Sequence, residues 1–350
     1  MSNKKHSFLF NKSNLQLDLS NKSNLVYSIS FTLDYQLNDY FKELRRYLKY
    51  SNYYNLKDKT LKYDKRTDGI KDIKEIESVG IMTVALARKV HKTTKSDYPI
   101  NCPLCLNLQS DKLISPFNLE RGLLWRNFII SPNGFPYFKV HFLIQAADHI
   151  DSINRGTQSE VHRNPNVIED VLAFAKIIGK GSILFNGWVG NSLGHLHFHY
   201  TDAAFPIKTT IKSYSLIKKI IITKNNSTVQ MFKDSEHNCK NFILIKGSDI
   251  GKASNDVFKF LQYLDSEKLF YNLLIYYNKD IFYVYIFIRR KTDDKLGFNF
   301  GAPHLAGIIS LNERKLKMFK DNEIEFISNI EDYCSESVVK IDYKILKKFF

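Results

Sequence analysis

The sequence has few of the features that mark secreted or membrane-embedded proteins. Only four of its 350 residues are cysteines, which is too few for a disulfide scaffold in a chain of this length. No apolar run approaches the roughly 18 residues that a membrane-spanning helix needs. The polar residues 1–24 contain neither a long apolar core nor a small-residue cleavage site. We therefore predict no membrane span and no signal peptide, and we expect a cytoplasmic protein.

Acidic residues are also in short supply. There are 36 Asp and Glu residues against 51 Lys and Arg residues, which gives a formal net charge of +15. A positive field attracts nucleotides and nucleic acids, although a general enrichment in Lys and Asn explains the charge equally well. Because no compact basic tract with interleaved aromatic residues is present, the sequence does not favour nucleic acid as a partner. A non-enzymatic nucleotide or nucleic-acid binder stays an alternative hypothesis.

The composition and the patterning predict a globular α+β protein. Hydrophobic residues make up 44% of the chain, and the length allows one large core or two domains. Residues 80–210 read as an antiparallel sheet with a crossing helix, and residues 211–350 repeat strands, a helix and a hairpin. We predict two similar halves, of which only 80–210 is catalytic, preceded by an N-terminal extension, residues 1–79, that packs on the core.

Local signals predict several element boundaries. Asn164 and Pro165 are typical of a helix start, so a helix is predicted from Asn164 to Ile178. A second helix is predicted from Ser254 to Leu264, capped by Ser254. A strand is predicted from Leu305 to Leu311. A hairpin is predicted around Asn278, Lys279 and Asp280.

The most informative stretch runs from Gly190 to Tyr200. Successive side chains of a strand point to opposite faces, so His195, His197 and His199 share one face, and the apolar residues between them share the other. Small residues precede the strand, where backbone N–H groups can approach a phosphate closely. Three imidazoles beside such a loop indicate chemistry at a phosphorus centre, with or without a metal. The alternative is a strand with solvent-exposed histidines.

Cys102 and Cys105 form a Cys-x-x-Cys pair in a tight, proline-containing turn. On its own this spacing is ambiguous among a zinc site, a redox pair and chance.

These motifs occur in an order that resembles a known family. His195-Leu196-His197-Phe198-His199 is similar to the histidine-triad motif. The run from about residue 80 to 310 most resembles the galactose-1-phosphate uridylyltransferase, diadenosine tetraphosphate phosphorylase and GDP-hexose phosphorylase branch of that superfamily. The other segments that carry the resemblance are Cys102-Pro103-Leu104-Cys105, Asn133-Gly134-Phe135-Pro136, 138–144 followed by His149, Asn186 with Gly190-Asn191-Ser192, 271–275, 287–290 and Ala306-Gly307.

The resemblance implies a tandem histidine-triad-like fold, each half an antiparallel sheet with packed helices, and a nucleotidyltransferase or nucleotide phosphorylase. Its substrate would be a nucleoside diphosphate sugar or a dinucleotide, and its acceptor a phosphate or sugar phosphate. His197 would be the nucleophile that forms a covalent nucleotidyl-histidine, with Ser192 stabilising phosphoryl charge. A homodimer is also expected. The expected substrate contacts are Asn133, Phe135, Asn186, Gly190, Asn191, Arg289 and Arg290.

The resemblance also implies a structural Zn²⁺ site. Its ligands would be Cys102, Cys105, His149 and His195, a Cys2His2 set that suits tetrahedral zinc. This site would hold the first triad histidine beside the nucleophile.

His199 departs from the pattern of this branch, which usually has Gln there. A histidine at this position resembles the hydrolase-like members, because it can act as a general acid. The sequence therefore leaves two acceptors open, with a hydrolase of nucleotides or nucleotide conjugates as the alternative to transfer.

Overall fold

The computed structural model describes about half of the chain. Its elements begin with a short helical segment around Phe41 and end at Leu346. The described residues are 38–39, 41–42, 74–76, 82–88, 123–133, 138, 140–146, 161, 164–187, 189–190, 195–210, 215–222, 227–233, 241–290, 300–339 and 346.

Thirteen strands and six helices are named here in chain order. The strands are β1 (Lys74–Ile76), β2 (Met82–Arg88), β3 (Leu123–Trp125), β4 (Phe128–Pro132), β5 (His141–Ala146), β6 (Ser182–Asn186), β7 (His197–Thr201), β8 (Ser215–Ile222), β9 (Ser227–Lys233), β10 (Phe242–Gly247), β11 (Phe270–Asn278), β12 (Ile281–Arg289) and β13 (Ile308–Asn312). The helices are α1 (Pro165–Ile178), α2 (Pro206–Thr210), α3 (Ile250–Ser266), α4 (Ala302–Leu305), α5 (Glu313–Asp321) and α6 (Glu323–Ser337).

The main sheet has ten strands and an internal two-fold pattern. Its order is β3-β4-β5-β7-β6-β11-β12-β10-β9-β8, and all its pairings are antiparallel. The five strands of the first half, β3 to β7, and the five of the second half, β8 to β12, have the same order from the edge of the sheet to its centre. In each half the first three strands are followed by the fifth and then by the fourth. A helix, α1 or α3, precedes the fourth strand of each half. The predicted α+β fold with two similar halves is confirmed, whereas the exact division at residues 79 and 210 stays a prediction.

The two faces of this sheet are covered differently. One face carries α1 and α3, which pack against each other and against the apolar side chains of both halves. On the other face, a second core lies mostly over the second half and includes Leu244, Leu274, Tyr285 and residues of α2 and α4. The histidines of β7 lie on this second face, beside that core.

The N-terminal region contributes one described aromatic ring to the core. Phe41 is 2% exposed, and its ring centroid lies 4.7 Å from that of Tyr200 and 5.1 Å from that of Phe142. Most of residues 1–79 lies outside the described residues, and β1 and β2 pair with β13 in a separate three-stranded sheet.

Helix α1 begins as its sequence predicts. The Asn164 side chain accepts a hydrogen bond from the backbone N–H of Asn166, Pro165 occupies the first turn, and Gly179 ends the helix in the left-handed conformation. The predicted hairpin is also confirmed: β11 and β12 are joined at Lys279 and Asp280, which both have positive φ.

Two predicted boundaries are wrong. Helix α3 begins at Ile250 rather than Ser254, because the Asp249 carboxylate accepts from the backbone N–H of Lys252 at 2.8 Å. Ser254 lies inside the helix and donates to the Gly251 carbonyl. The predicted strand from Leu305 to Leu311 is preceded by helix α4 and starts at Ile308. In the described part of the chain, no helix combines the length and the apolar character that crossing a membrane requires.

Candidate active site

Strand β7 presents two triad histidines on one face of the sheet, with the third just before it. Phe198 and Tyr200 point into the core beneath α1, so His197 and His199 point to the opposite face. His195, His197 and His199 are 1%, 3% and 8% exposed. The alternative of a strand with solvent-exposed histidines is therefore wrong. Buried polar side chains of this kind need specific hydrogen-bond partners.

His197 is held in one tautomer. Its Nδ1 atom lies 2.7 Å from the backbone carbonyl oxygen of His195, and because a carbonyl only accepts, Nδ1 carries the proton. The lone pair is then on Nε2. Burial lowers the pKa of His197 below its ordinary value, partly opposed by the hydrogen bond to the His195 carbonyl. Near neutral pH, His197 is therefore an uncharged imidazole with a nucleophilic Nε2.

His195 is oriented by a different carbonyl. Its Nε2 atom donates to the backbone oxygen of Ala146 at 2.9 Å, which leaves Nδ1 as the atom with a lone pair. Histidine ligands of metals commonly donate their second ring N–H to a backbone carbonyl in this way. This hydrogen bond is compatible with the predicted role of His195 as a zinc ligand, which would then bind the metal through Nδ1.

His199 forms a hydrogen-bonded pair with a fourth histidine, His141. The Nε2 atom of His141 lies 3.1 Å from Nδ1 of His199, and it also lies 3.1 Å from Nδ2 of Asn133. His141 is fully buried and Asn133 is 4% exposed. Asn133, predicted to contact the nucleoside, therefore contacts the triad through His141.

The start of the loop between β6 and β7 is shaped by the second half of the chain. The Asn186 carboxamide oxygen accepts from the backbone N–H of Ala302 at 2.7 Å. The backbone of Gly187 lies so close to the carbonyl of Tyr271 that any Cβ would overlap it. Gly190 has a φ of +93°, and a Cβ there would lie 2.5 Å from the carbonyl oxygen of Phe300. The close approach of the backbone requires glycine at both positions, and the positive φ is a second reason at Gly190.

Arg289 and Asn272 link these contacts. The Asn272 carboxamide donates to the carbonyl of Val189 at 3.1 Å and accepts from Nη1 of Arg289 at 3.0 Å. The same Nη1 donates to the carbonyl of Phe300 at 2.8 Å. Arg289 is fully buried, so its guanidinium faces internal acceptors here, and the predicted contact with an acceptor phosphate is not tested.

The remaining predicted site residues are placed less completely. Arg290 is exposed and its Nε donates to the carbonyl of Glu336. Its predicted role in substrate binding stays a prediction. The other predicted residues lie outside the described part of the chain: Cys102, Cys105, Phe135, His149, Asn191 and Ser192.

The zinc prediction rests on these undescribed residues. Within the described ranges, no group of three or more His, Cys, Asp and Glu side chains could hold a metal ion. Three of the four predicted ligands fall outside those ranges, so the zinc site stays a prediction. The hydrogen bond of His195 is compatible with it.

Three residues near the site were not assigned a functional role from the sequence: His141, Asn272 and Gln145. His141 contacts His199 directly. Gln145 is paired with His197 in the register of β5 and β7. His141 and Gln145 lie four residues apart in the strand before His149, and this even spacing was the only sequence signal that they share a face.

The second half has no imidazoles at the matching place. Strand β12 occupies the position of β7 in the sheet order, and Tyr285 and Phe287 point to the corresponding face and join the second core. The prediction that this half is non-catalytic is therefore compatible with its side chains.

Comparisons with known proteins give only a distant likeness. No protein-family model and no curated protein matches the sequence. Among solved structures, yeast Ap4A phosphorylase Apa2 in complex with AMP is 14% identical and has a TM-score of 0.44, with 74% of this chain and 86% of that chain covered. The Apa2 complex with Ap4A is 12% identical with a TM-score of 0.43, and the match covers 74% of this chain and 88% of that one. A DUF4931 family protein from Bacillus cereus ATCC 10987 is 15% identical with a TM-score of 0.34, covering 58% and 95%. These scores describe a loose likeness in fold.

Proposed function

We propose that this protein is a nucleotide-processing enzyme, a nucleotidyltransferase or nucleotide phosphorylase that works through a covalent nucleotidyl-His197 intermediate. The observation that carries the proposal is the orientation of His197. Its Nδ1 donates to the His195 carbonyl at 2.7 Å, which directs the lone pair to Nε2. A buried, neutral imidazole of this kind is a competent nucleophile near pH 7.

The reaction would proceed in two displacements. Nε2 of His197 attacks the α-phosphorus of a nucleoside diphosphate sugar or dinucleotide, a P–N bond forms, and the P–O bond to the leaving phosphate breaks. A phosphate or sugar phosphate oxygen then attacks the same phosphorus and the P–N bond breaks. The electron pair returns to Nε2, so the enzyme is regenerated without any net change.

Neighbouring residues would bind and stabilise the phosphoryl groups. Ser192 and the backbone from Gly190 onward would donate hydrogen bonds to the non-bridging oxygens, where charge develops during both steps. Asn186 uses its oxygen on Ala302, so its Nδ2 would be the atom that faces a phosphate. Further contacts are proposed for Asn191 and Arg290 with phosphate, and for Asn133 and Phe135 with the nucleoside.

Zinc would have a structural role in this scheme. Cys102, Cys105, His149 and His195 would hold it, and a closed Cys2His2 site keeps no open position for substrate. Its contribution would be to fix His195, whose carbonyl orients His197. A homodimer of such chains is likewise proposed and not tested.

A second candidate function is hydrolysis at the same site. The specific observation in its favour is the 3.1 Å contact between His199 and His141, because a histidine paired in this way can pass a proton to a leaving group or accept one from water. Under this alternative, His199→Gln is expected to raise transfer relative to hydrolysis. An unchanged product ratio would remove the support for it.

The experiment is a turnover assay with a panel of nucleoside diphosphate sugars and dinucleotides, each with and without phosphate and sugar phosphates. Transfer predicts that turnover depends on the acceptor, and hydrolysis predicts that it does not. His197→Ala should abolish turnover in either case. If His197→Ala turns over at the wild-type rate, the proposed function is wrong.

A further inference from the structure

Gln145 has a buried carboxamide oxygen without a hydrogen-bond partner, directly beside the proposed nucleophile. Its side chain is 3% exposed, and no donor reaches its Oε1 within the described part of the chain. In the register of the sheet, Gln145 is the residue opposite His197. Side chains of directly opposed residues are neighbours on the same face.

The surroundings of Gln145 explain why its oxygen is left without a partner. On the other side, Gln145 is paired with Ile129 of β4, and the residue two positions earlier on its own face is Leu143. These side chains offer no donor. Among the described residues, its partner in the register of β7 is His197, whose Nδ1 proton is already donated to the His195 carbonyl.

A buried acceptor that lacks a donor destabilises the folded protein, because its hydration is lost and nothing replaces it. Folded proteins leave few such groups, and one that persists at a functional site needs an explanation. The position opposite His197 suggests that the missing donor arrives with the substrate.

We propose that Gln145 is a substrate-binding residue whose Oε1 accepts a hydrogen bond from a ribose hydroxyl of the nucleotide under attack. This inference rests on the proposed function. A carboxamide oxygen only accepts, and the phosphates of a nucleotide are largely ionised near pH 7 and present acceptors. The ribose is linked through its 5′ oxygen to the α-phosphorus that Nε2 of His197 attacks, so its hydroxyl groups are the donors nearest to the reacting atoms.

Gln145 would thereby select ribonucleotides over nucleotides that lack the hydroxyl in question. Sites that hydrogen-bond a substrate hydroxyl discriminate against analogues without it, because the polar group of the protein is then left unpaired. In the free protein the same oxygen is unpaired, so the free-energy cost of burying it without a donor is already present before the ligand binds. Gln145 would thus contribute to specificity at the expense of stability.

The test is Gln145→Met, which keeps the length of the side chain and removes the carboxamide. We expect the midpoint of thermal unfolding of the free protein to rise by a few degrees, because an unsatisfied group is removed. By calorimetry, the variant should bind a ribonucleoside 5′-diphosphate about tenfold more weakly than wild type. This corresponds to the loss of one hydrogen bond.

The hydroxyl is identified with 2′-deoxy and 3′-deoxy analogues in a double-mutant cycle. One analogue should bind wild type about tenfold more weakly than the ribonucleotide, and Gln145→Met should bind that analogue and the ribonucleotide equally well. Gln230→Met is the matched control, because the Oε1 of Gln230 in β9 also lacks a partner but lies in the second half. That variant should leave binding unchanged.

The inference is overturned if the losses of binding free energy from Gln145→Met and from each deoxy analogue are additive. Additivity would mean that Oε1 contacts neither hydroxyl. It is also overturned if wild type binds no nucleotide, or if the variant binds as wild type does, as expected if a water satisfies Oε1. Hydroxyl-dependent binding without turnover would support the inference while contradicting the proposed function.

Discussion

The Nε2 atom of His141 lies 3.1 Å from the Nδ1 atom of His199, and both side chains are buried. The same Nε2 lies 3.1 Å from Nδ2 of Asn133. The same carboxamide nitrogen lies 3.4 Å from Nδ1 of His141 and can donate to either ring nitrogen. The tautomers of the two rings therefore decide which of them donates, and in either case His141 engages Nδ1 of His199. Nε2 of His199 is the ring nitrogen that does not face His141, and we expect it to exchange the proton with a substrate.

His141→Phe should therefore reduce turnover without abolishing binding. The substitution removes the hydrogen-bond partner that orients His199, and loss of a positioned acid or base lowers rates by about 10²-fold or more. We expect kcat to fall by about 10- to 100-fold while the dissociation constant of the nucleotide changes less than about threefold. A variant with wild-type kcat would show that His141 only fills space.

The lowered pKa of His197 predicts how adduct formation depends on pH. Burial favours the neutral ring, so the nucleophile stays deprotonated below the ordinary histidine pKa of about 6.5. We expect the rate of the first chemical step to be nearly constant from pH 8 down to about 6.5 and to fall only at lower pH. Rapid-quench measurements across this range check it. A rate that already halves near pH 7 would contradict a lowered pKa.

The lowered pKa of His197 also makes the free energy of unfolding depend on pH, in one direction only. Below about pH 6.5, the unfolded chain binds a proton at His197 more readily than the folded chain does. The free energy of unfolding should therefore fall as the pH is lowered through this range, whereas above it both states are neutral and the residue makes no difference. Replacing His197 with Gln should flatten this part of the stability profile.

Asn272→Asp should separate loop positioning from folding. The carboxylate still accepts from Arg289, but it cannot donate to the carbonyl of Val189 as the amide does. Misplacing a catalytic group by about 1 Å can cost about 100-fold in rate, so we expect the rate of adduct formation to fall by about 10- to 100-fold. The thermal midpoint should change by no more than a few degrees.

Asn278→Asp provides the control for Asn272→Asp. It makes the same chemical change in the same strand, at an exposed position beside the hairpin turn, and should react at the wild-type rate. Equal rates for the two variants would contradict a role of Asn272 in the loop.

Local patterns were sufficient to predict the histidine strand, helix α1 and the hairpin of β11 and β12. In each case the signal lies within the element itself: alternation, a cap with a proline, or turn residues. The predicted start of α3 was wrong because two residues that can cap a helix lie close together. Asp249 and Ser254 can both cap a helix, and only the observed hydrogen bond from Lys252 identifies Asp249.

The contacts that organise the site depend on register between distant segments. Asn272 and Val189 are 83 residues apart, and His141 and His199 are 58 residues apart. Their proximity follows from the pairing of β6 with β11 and of β5 with β7, and a one-residue slip in either pairing would place each side chain on the opposite face. No local pattern encodes that register, which is why Gln145 and Asn272 were not assigned to the site.

Purified protein should contain one zinc ion per chain if Cys102, Cys105, His149 and His195 form the predicted site. Removal of the metal with a strong chelator should lower the thermal midpoint, because binding energy of a structural zinc contributes to folding. Elemental analysis and thermal unfolding before and after chelation check this. Cys102→Ser should lose the metal, whereas Cys334→Ser, in helix α6, should retain it. Metal-free protein with full stability would contradict the site.

The central claim is most directly tested by locating the covalent adduct. Wild-type protein is mixed with a substrate from the panel in the absence of an acceptor, quenched at alkaline pH, digested and analysed by tandem mass spectrometry. We predict a nucleotidyl group on His197 that forms within one turnover and disappears when phosphate or a sugar phosphate is added. Turnover without an adduct, or an adduct on His141, His195 or His199 instead, would contradict this account.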